Sequence, residues 1–143
     1  MAEKDRWDFI NQLEEELLQG GTILSEWSAF LIRDADTAYC AGANLAAILA
    51  AQAAMESHLR YEYGENDKRI GFFDLIEISP IHEDLKADLH LVRKYRNQWV
   101  HVNDPHQDEN LLTYPQYIEE ELEKMAKLSI RSMRKVIYFE QFV

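Results

Sequence analysis

The sequence predicts an all-α fold, a helical bundle of four main helices plus one or two short helices. Apolar residues recur at intervals of three or four in every long segment, which is the period of a helix face. Glycine and proline number only 5 and 3, too few for a protein built from many turns. Ala, Leu, Glu and Lys outnumber the β-branched residues, a balance that favours helix over strand. We expect one domain over residues 1–143, with residues 1–20 as an N-terminal helix extension.

The first half of the chain predicts a helix near residues 3–19 and a second helical stretch that begins after Ser25, a good N-cap residue. If residues 26–63 formed one continuous helix, that helix would be about 57 Å long, which is longer than a compact domain of this size. We therefore expect a break near residues 34–36, where Asp34 or Asp36 can cap the onward helix.

The onward helix, residues 38–59, is rich in alanine and is predicted to be the central helix, because small side chains let a neighbouring backbone approach closely. A short helix is predicted at residues 72–78 and a longer one from residue 82 to about residue 102. The last helix is expected to run from Pro115 to about residue 142, with proline in the first turn, where its missing N–H is tolerated.

The formal charge is −11, from 26 acidic and 15 basic residues, which speaks against non-specific binding of nucleic acid. The segment from Lys86 to His101 reverses this balance, since it holds four basic residues and one acid, Asp88. A local basic patch in an acidic protein is compatible with an enzyme that has a basic site.

The chain shows no signal pattern at its start and no apolar run of the ~20 residues that a membrane span needs. We expect a cytoplasmic protein that has no membrane partner. Cys40 is the only cysteine, and no H-x-x-x-H or H-E-x-x-H spacing occurs, so no metal or other cofactor is expected.

The predicted helix at residues 82–102 carries an arginine on its apolar face. At 100° per residue, Arg96 lies in the middle of a face formed by Leu85, Leu89, Val92, Trp99 and Val100. An unpaired buried charge is unfavourable, so Arg96 either snorkels to water, pairs with an acid, or points into a site or interface. Glu56, the only charged residue between Ala38 and Ser57, is the expected acidic partner.

Asn97 and His101 are four residues apart and share a second face of the same helix, which Arg93 extends toward its N-terminus. A histidine near a helix C-terminus is commonly a partner of the helix dipole. The alternative is a site that combines an imidazole, an amide and a guanidinium.

The run from Arg96 to His101 has the form R-x4-H, with Asn97 directly after the arginine. It resembles the signature of the HEPN superfamily (higher eukaryotes and prokaryotes nucleotide-binding domains), in which the motif lies late on a helix of a small bundle and precedes a loop. The Ala/Gly-rich residues 39–47, followed by the E-x-x-L pattern in residues 54–59, also look like that family's central helix. The resemblance covers about residues 35–140 and implies an HEPN-like bundle.

The resemblance implies a metal-independent endoribonuclease, a toxin or defence component, with Arg96, Asn97 and His101 as catalytic residues. From their positions on the helix faces, Glu56 and Arg93 are expected to support them. The resemblance also implies a homodimer that brings two motifs together, an RNA substrate, and an antitoxin or nucleotidyltransferase partner. Two alternatives stay open. One is a non-catalytic HEPN-fold module that binds nucleotide, RNA or a partner. The other is a structural helical dimerisation domain in which Arg96 is an ion-pair member.

The last predicted helix carries basic residues at intervals of three or four: Lys124, Lys127, Arg131 and Arg134. The simpler interpretation is a solvated face whose cations complement the helix C-terminus. The functional interpretation is a strip that follows an RNA backbone, to which Lys94 would add a further cation.

Overall fold

A computed structural model describes residues 1–67, 69–102, 104–106, 111 and 113–142. Within these ranges the chain forms six helices and no strand, which confirms the all-α bundle. They are α1 (Glu3–Leu17), α2 (Glu26–Cys40), α3 (Asn44–Tyr63), α4 (Phe72–Ile78), α5 (Glu83–Val100) and α6 (Pro115–Ile137). One isolated antiparallel bridge joins Gly21 to Phe142 near the two chain ends. No helix in the described part of the chain combines the length and apolarity needed to cross a bilayer.

Helix α3 is the centre of the bundle, as its composition predicted. It packs against α2, α4, α5 and α6. Ala47, Ala51 and Ala54 are fully buried along it. Their single methyl groups let the neighbouring helices approach closely, so the alanine-rich stretch specifies the position of α3 in the fold.

The predicted break at residues 34–36 is wrong, since α2 continues without interruption to Cys40. The chain turns instead at residues 41–43, where Gly42 adopts a φ of +84°, a conformation that glycine reaches without the steric penalty of a Cβ atom. Asp36 does not cap a helix, because its carboxylate accepts two hydrogen bonds from Arg134.

The other helix ends follow local sequence signals closely. Ser25 is the N-cap of α2, and its hydroxyl oxygen accepts from the backbone N–H of Ser28 at 3.2 Å. Pro115 occupies the first turn of α6, as predicted, although that helix ends at Ile137 and so before the predicted residue 142. The helix N-termini that depend on a single N-cap or first-turn residue were therefore the most predictable.

A buried ion pair network ties α1, α2 and α6 together. The Arg134 side chain is 2% exposed. It donates to Glu14 at 2.9 Å and to both carboxylate oxygens of Asp36. Burial, together with the hydrogen bond to Glu14, raises the pKa of the Tyr138 phenol, which donates to the same carboxylate at 2.7 Å. Each charge in this network therefore has a partner, as buried charges require.

His58 on α3 is a buried histidine, 5% exposed, whose Nδ1 atom has no hydrogen-bond partner among the residues that the structure describes. Burial lowers its pKa below the ordinary value of 6.5, with the charge of Glu140 opposing the shift. His58 is therefore neutral in the folded protein at neutral pH.

We expect the free energy of unfolding to fall as the pH drops below about 6.5, because the unfolded chain then protonates His58 while the folded chain resists protonation. Between pH 7.5 and 5.5 this one group accounts for at most about 1.4 kcal/mol. Urea unfolding at the two pH values measures it. The loss should shrink in His58→Gln and persist in His106→Gln, which changes an exposed histidine.

Candidate functional site

Helix α5 buries one stripe of side chains against the bundle, and Arg96 is half-buried within that stripe. Leu85, Leu89, Val92 and Tyr95 are buried on it. Val100, which the sequence assigned to the same face, is 40% exposed. That part of the assignment is wrong, because Val100 is the last residue of α5 and faces solvent at the helix end.

An open cavity of about 320 Å³ lies between α3, α4 and α5, and it brings together Arg93, Arg96 and Asn97 from the predicted site. From α3, Gln52, Ala53 and Glu56 form the facing wall, and Gly71, Phe72 and Phe73 at the start of α4 close one end. The predicted supporting residues Glu56 and Arg93 thus line the same cavity as Arg96.

The predicted ion pair between Arg96 and Glu56 is wrong. The Arg96 guanidinium is half-buried and donates to Asn97 Oδ1 at 3.3 Å. In the described ranges no carboxylate lies within 4.0 Å of it. The Glu56 carboxylate instead lies 3.9 Å from Arg60, one turn further along α3. The positive charge of Arg96 is therefore available to a ligand in the cavity. A substitution of Arg96 leaves none of the described carboxylates without an ion-pair partner.

Arg93 is held beside Arg96 and contacts no carboxylate of the described residues. Its Nε donates to His90 Nδ1 at 3.3 Å, and the other ring nitrogen of His90 lies 2.7 Å from Glu77 Oε1. Since Nδ1 accepts from the arginine, the proton of a neutral His90 ring lies on Nε2 and faces Glu77. The Arg93 guanidinium also lies over the Phe73 ring, 5.2 Å from its centre. These contacts fix the direction of the Arg93 side chain.

His101 lies apart from the cavity in a single chain. It is the exposed C-cap residue of α5, where the chain leaves the helix with φ −125° and ψ 66°. Its backbone N–H donates to the carbonyl of Asn97 at 2.9 Å. The imidazole is not among the groups that line the cavity, so one chain brings Arg96 and Asn97 together and leaves His101 outside.

The predicted cationic strip on α6 is partly wrong, because Arg134 is buried and held by two carboxylates. Lys127 and Arg131 are half-buried and lie over the Phe9 ring, at 4.8 and 5.6 Å from its centre. Lys124 is exposed, as is Lys94 on α5. The strip therefore offers fewer exposed cations than the sequence suggested.

Gln52 was not predicted as a site residue, although it lines the cavity. The side chain is 5% exposed, and its Oε1 atom is buried with no hydrogen-bond partner in the described part of the chain. The signal in the sequence is a single amide within the alanine run of α3. Phe73 was also missed, and 51% of this large apolar side chain is exposed at the cavity.

Among the residues that the structure describes, no three His, Cys, Asp or Glu side chains are grouped closely enough to hold a metal ion. The polar groups of the cavity are instead guanidinium, carboxamide and a single carboxylate. That set suits an anionic ligand that also presents hydrogen-bonding edges. Comparisons of the chain with protein-family models, curated proteins and solved structures give no match.

Proposed function

We propose that this protein is a metal-independent endoribonuclease of the HEPN type, whose active site is completed between two copies of the chain. The observation that carries the proposal is the pair of guanidinium groups at one cavity, Arg93 and Arg96, with no carboxylate within 4.0 Å of either in the described ranges. In a chain of charge −11, acids are abundant. Two half-buried arginines that have no acidic partner in such a chain are typical of a phosphate-binding site.

The chemistry uses only groups that this chain supplies. The RNA 2′-hydroxyl loses its proton to an imidazole, and its oxygen forms a bond to the adjacent phosphorus. The bond from phosphorus to the 5′-oxygen breaks, and that oxygen takes a proton from water, while the imidazolium gives its proton to the resulting hydroxide and the imidazole is regenerated. The products are a 2′,3′-cyclic phosphate and a 5′-hydroxyl. Arg96 stabilises the charge that builds on the phosphoryl oxygens, and Asn97 orients the guanidinium through its 3.3 Å hydrogen bond.

A second copy of the chain supplies the imidazole in this proposal. His101 is exposed and outside the Arg96 cavity of its own chain, so a copy docked on the end of α5 brings its own His101 to that cavity. Val100 and Val102 are exposed beside the histidine and provide apolar surface for such a contact. Each site then takes Arg96 and Asn97 from one copy and His101 from the other.

Arg96→Ala is expected to lower RNA cleavage by about 100-fold or more, because it removes the charge that stabilises the transition state. The free energy of unfolding, measured in urea, should change by no more than about 1 kcal/mol, since no ion pair of the described residues is broken. Wild-type protein should cleave mixed RNA in the presence of a chelator. Arg33→Ala, which changes an exposed arginine of α2, is the matched control. Cleavage that needs added metal, or that survives Arg96→Ala, contradicts the proposal.

The second candidate function is a non-catalytic module of the same fold that binds RNA or a nucleotide. It is favoured by one observation, the position of His101 outside the cavity that holds Arg96 and Asn97. RNA that binds in an Arg96-dependent manner and is never cut would select this candidate. A purely structural dimerisation domain has less support, because the ion pair that would explain Arg96 is not formed.

The proposal includes a cellular setting in which uncontrolled cleavage is harmful. An enzyme of this kind acts as a toxin or defence component on cytoplasmic RNA, held in check by an antitoxin or by a nucleotidyltransferase partner. Co-expression with a candidate partner should restore growth to cells in which the wild-type chain arrests it, and Arg96→Ala should cause no arrest.

A further inference from the structure

We propose that the cavity between α3, α4 and α5 binds one base of the RNA, and that Gln52 and Glu56 select guanine there. This inference rests on the proposed function for the identity of the ligand as RNA. It adds a specificity for one base and two residues that determine it. Both residues lie on α3, in the wall that faces Arg93 and Arg96.

Gln52 is the first reason to place a hydrogen-bonding ligand in the cavity. Its Oε1 atom is buried with no partner in the described ranges, and the side chain is 5% exposed. A buried amide without a partner is unfavourable for folding, and an apolar side chain of the same size would pack there at no such penalty. Neighbours of Gln52 on the same helix, such as Ala51 and Ala54, are fully buried and apolar. The Gln52 side-chain oxygen therefore makes no stabilising hydrogen bond with the described residues of the free protein.

The shape of the cavity suits a single nucleotide. Its volume of about 320 Å³ is at the small end of the range found for small-molecule sites. Phe73 lines it and is half-exposed, with the Arg93 guanidinium stacked on the ring. Exposed aromatic rings and guanidinium planes are the surfaces on which single-stranded bases stack. Arg96, on the same side, would contact the phosphate attached to the base.

Guanine is the base whose hydrogen-bonding edge matches this wall. Gln52 and Glu56 are four residues apart on α3 and therefore share one face. A carboxylate only accepts, and guanine alone presents two adjacent donors, N1–H and N2–H, beside an acceptor, O6. Glu56 is only loosely paired, at 3.9 Å from Arg60, so its oxygens are available to both donors. The Gln52 Oε1 atom then accepts from the second hydrogen of the N2 amino group, which gives this buried acceptor a partner.

Equilibrium binding of four nucleoside 3′-monophosphates to the full-length wild-type chain, by calorimetry in chelator, tests the inference. Guanosine 3′-monophosphate is expected to bind at least about tenfold more tightly than the adenosine, cytidine and uridine compounds. Glu56→Gln should remove that preference. Gln52→Met should weaken guanosine binding about tenfold while raising the Tm by about 3 °C, because the unpartnered amide is gone. Gln116→Met and Glu120→Gln, both exposed on α6, should change neither quantity.

Equal affinity for the four nucleotides, or no binding of any, overturns the inference. So does a Gln52→Met variant that loses stability and keeps its affinity for guanosine, since that is the behaviour of a structural glutamine. RNA cleavage without guanosine binding overturns the inference and leaves the ribonuclease proposal intact. Guanosine binding that depends on Gln52 and Glu56, without any RNA cleavage, supports the nucleotide site and overturns the catalytic proposal.

Discussion

His101→Ala is expected to lower RNA cleavage by about 100-fold or more while the protein stays folded and dimeric. The imidazole is the one group of the motif with a basic ring nitrogen, so it is the group that can take the proton of the 2′-hydroxyl. His101 is exposed at the end of α5, and its truncation removes little packing. Quantification of the cyclic phosphate product measures the loss, and His106→Ala, at another exposed histidine, is the control.

A mixture of two inactive variants gives a sharper test of the shared site. If the chain dimerises as proposed, Arg96→Ala and His101→Ala chains that are unfolded together and refolded form mixed dimers in about half of the molecules. In each mixed dimer one site keeps Arg96 from one chain and His101 from the other, and the second site has neither. The mixture is therefore expected to recover about one quarter of the wild-type rate. No recovery, in a sample shown to contain mixed dimers, contradicts a site that is shared in this way.

Helix positions were predictable because each depends on a local pattern. The apolar period of three to four residues, the N-cap at Ser25 and the proline in the first turn of α6 all act over a few residues. The break near residues 34–36 was misplaced because Asp36 suits a cap locally but is used by Arg134, which lies far along the chain. A tertiary ion pair thus decided the role of a residue whose local preference pointed elsewhere.

The grouping of some candidate residues was predictable, but their arrangement was not. Arg93, Arg96 and Asn97 line one cavity, whereas His101 of the same R-x4-H pattern lies outside it. A helical face gives the direction of a side chain but not its distance from a neighbouring helix. The sequence therefore predicted an ion pair between Glu56 and Arg96, whereas in the structure Glu56 lies 3.9 Å from Arg60 on its own helix. Gln52 and Phe73 were missed because the approach of α4 to α3 and α5, which encloses the cavity, is a tertiary feature.

Arg134→Met is expected to lower the free energy of unfolding by about 3–5 kcal/mol, the largest loss of stability that we expect for one side chain. Arg134 is 2% exposed and neutralises Glu14 and Asp36, so its removal leaves both carboxylates without their positive partner. Urea unfolding at pH 7.5 measures the change. Lys135→Ala, at the exposed neighbouring position of α6, should shift it by less than about 0.5 kcal/mol.

A second substitution separates the two contributions to the stability loss of Arg134→Met, the carboxylates left unpaired and the lost packing of the arginine side chain. If most of it comes from carboxylates left without a partner, Arg134→Met combined with Asp36→Leu should recover a large share, because one stranded charge is then replaced by apolar surface. Asp36→Leu alone should be destabilising, since it removes the bidentate partner of a buried guanidinium. A double variant no more stable than Arg134→Met would mean that packing of the long arginine side chain, and not charge, holds α1, α2 and α6 together.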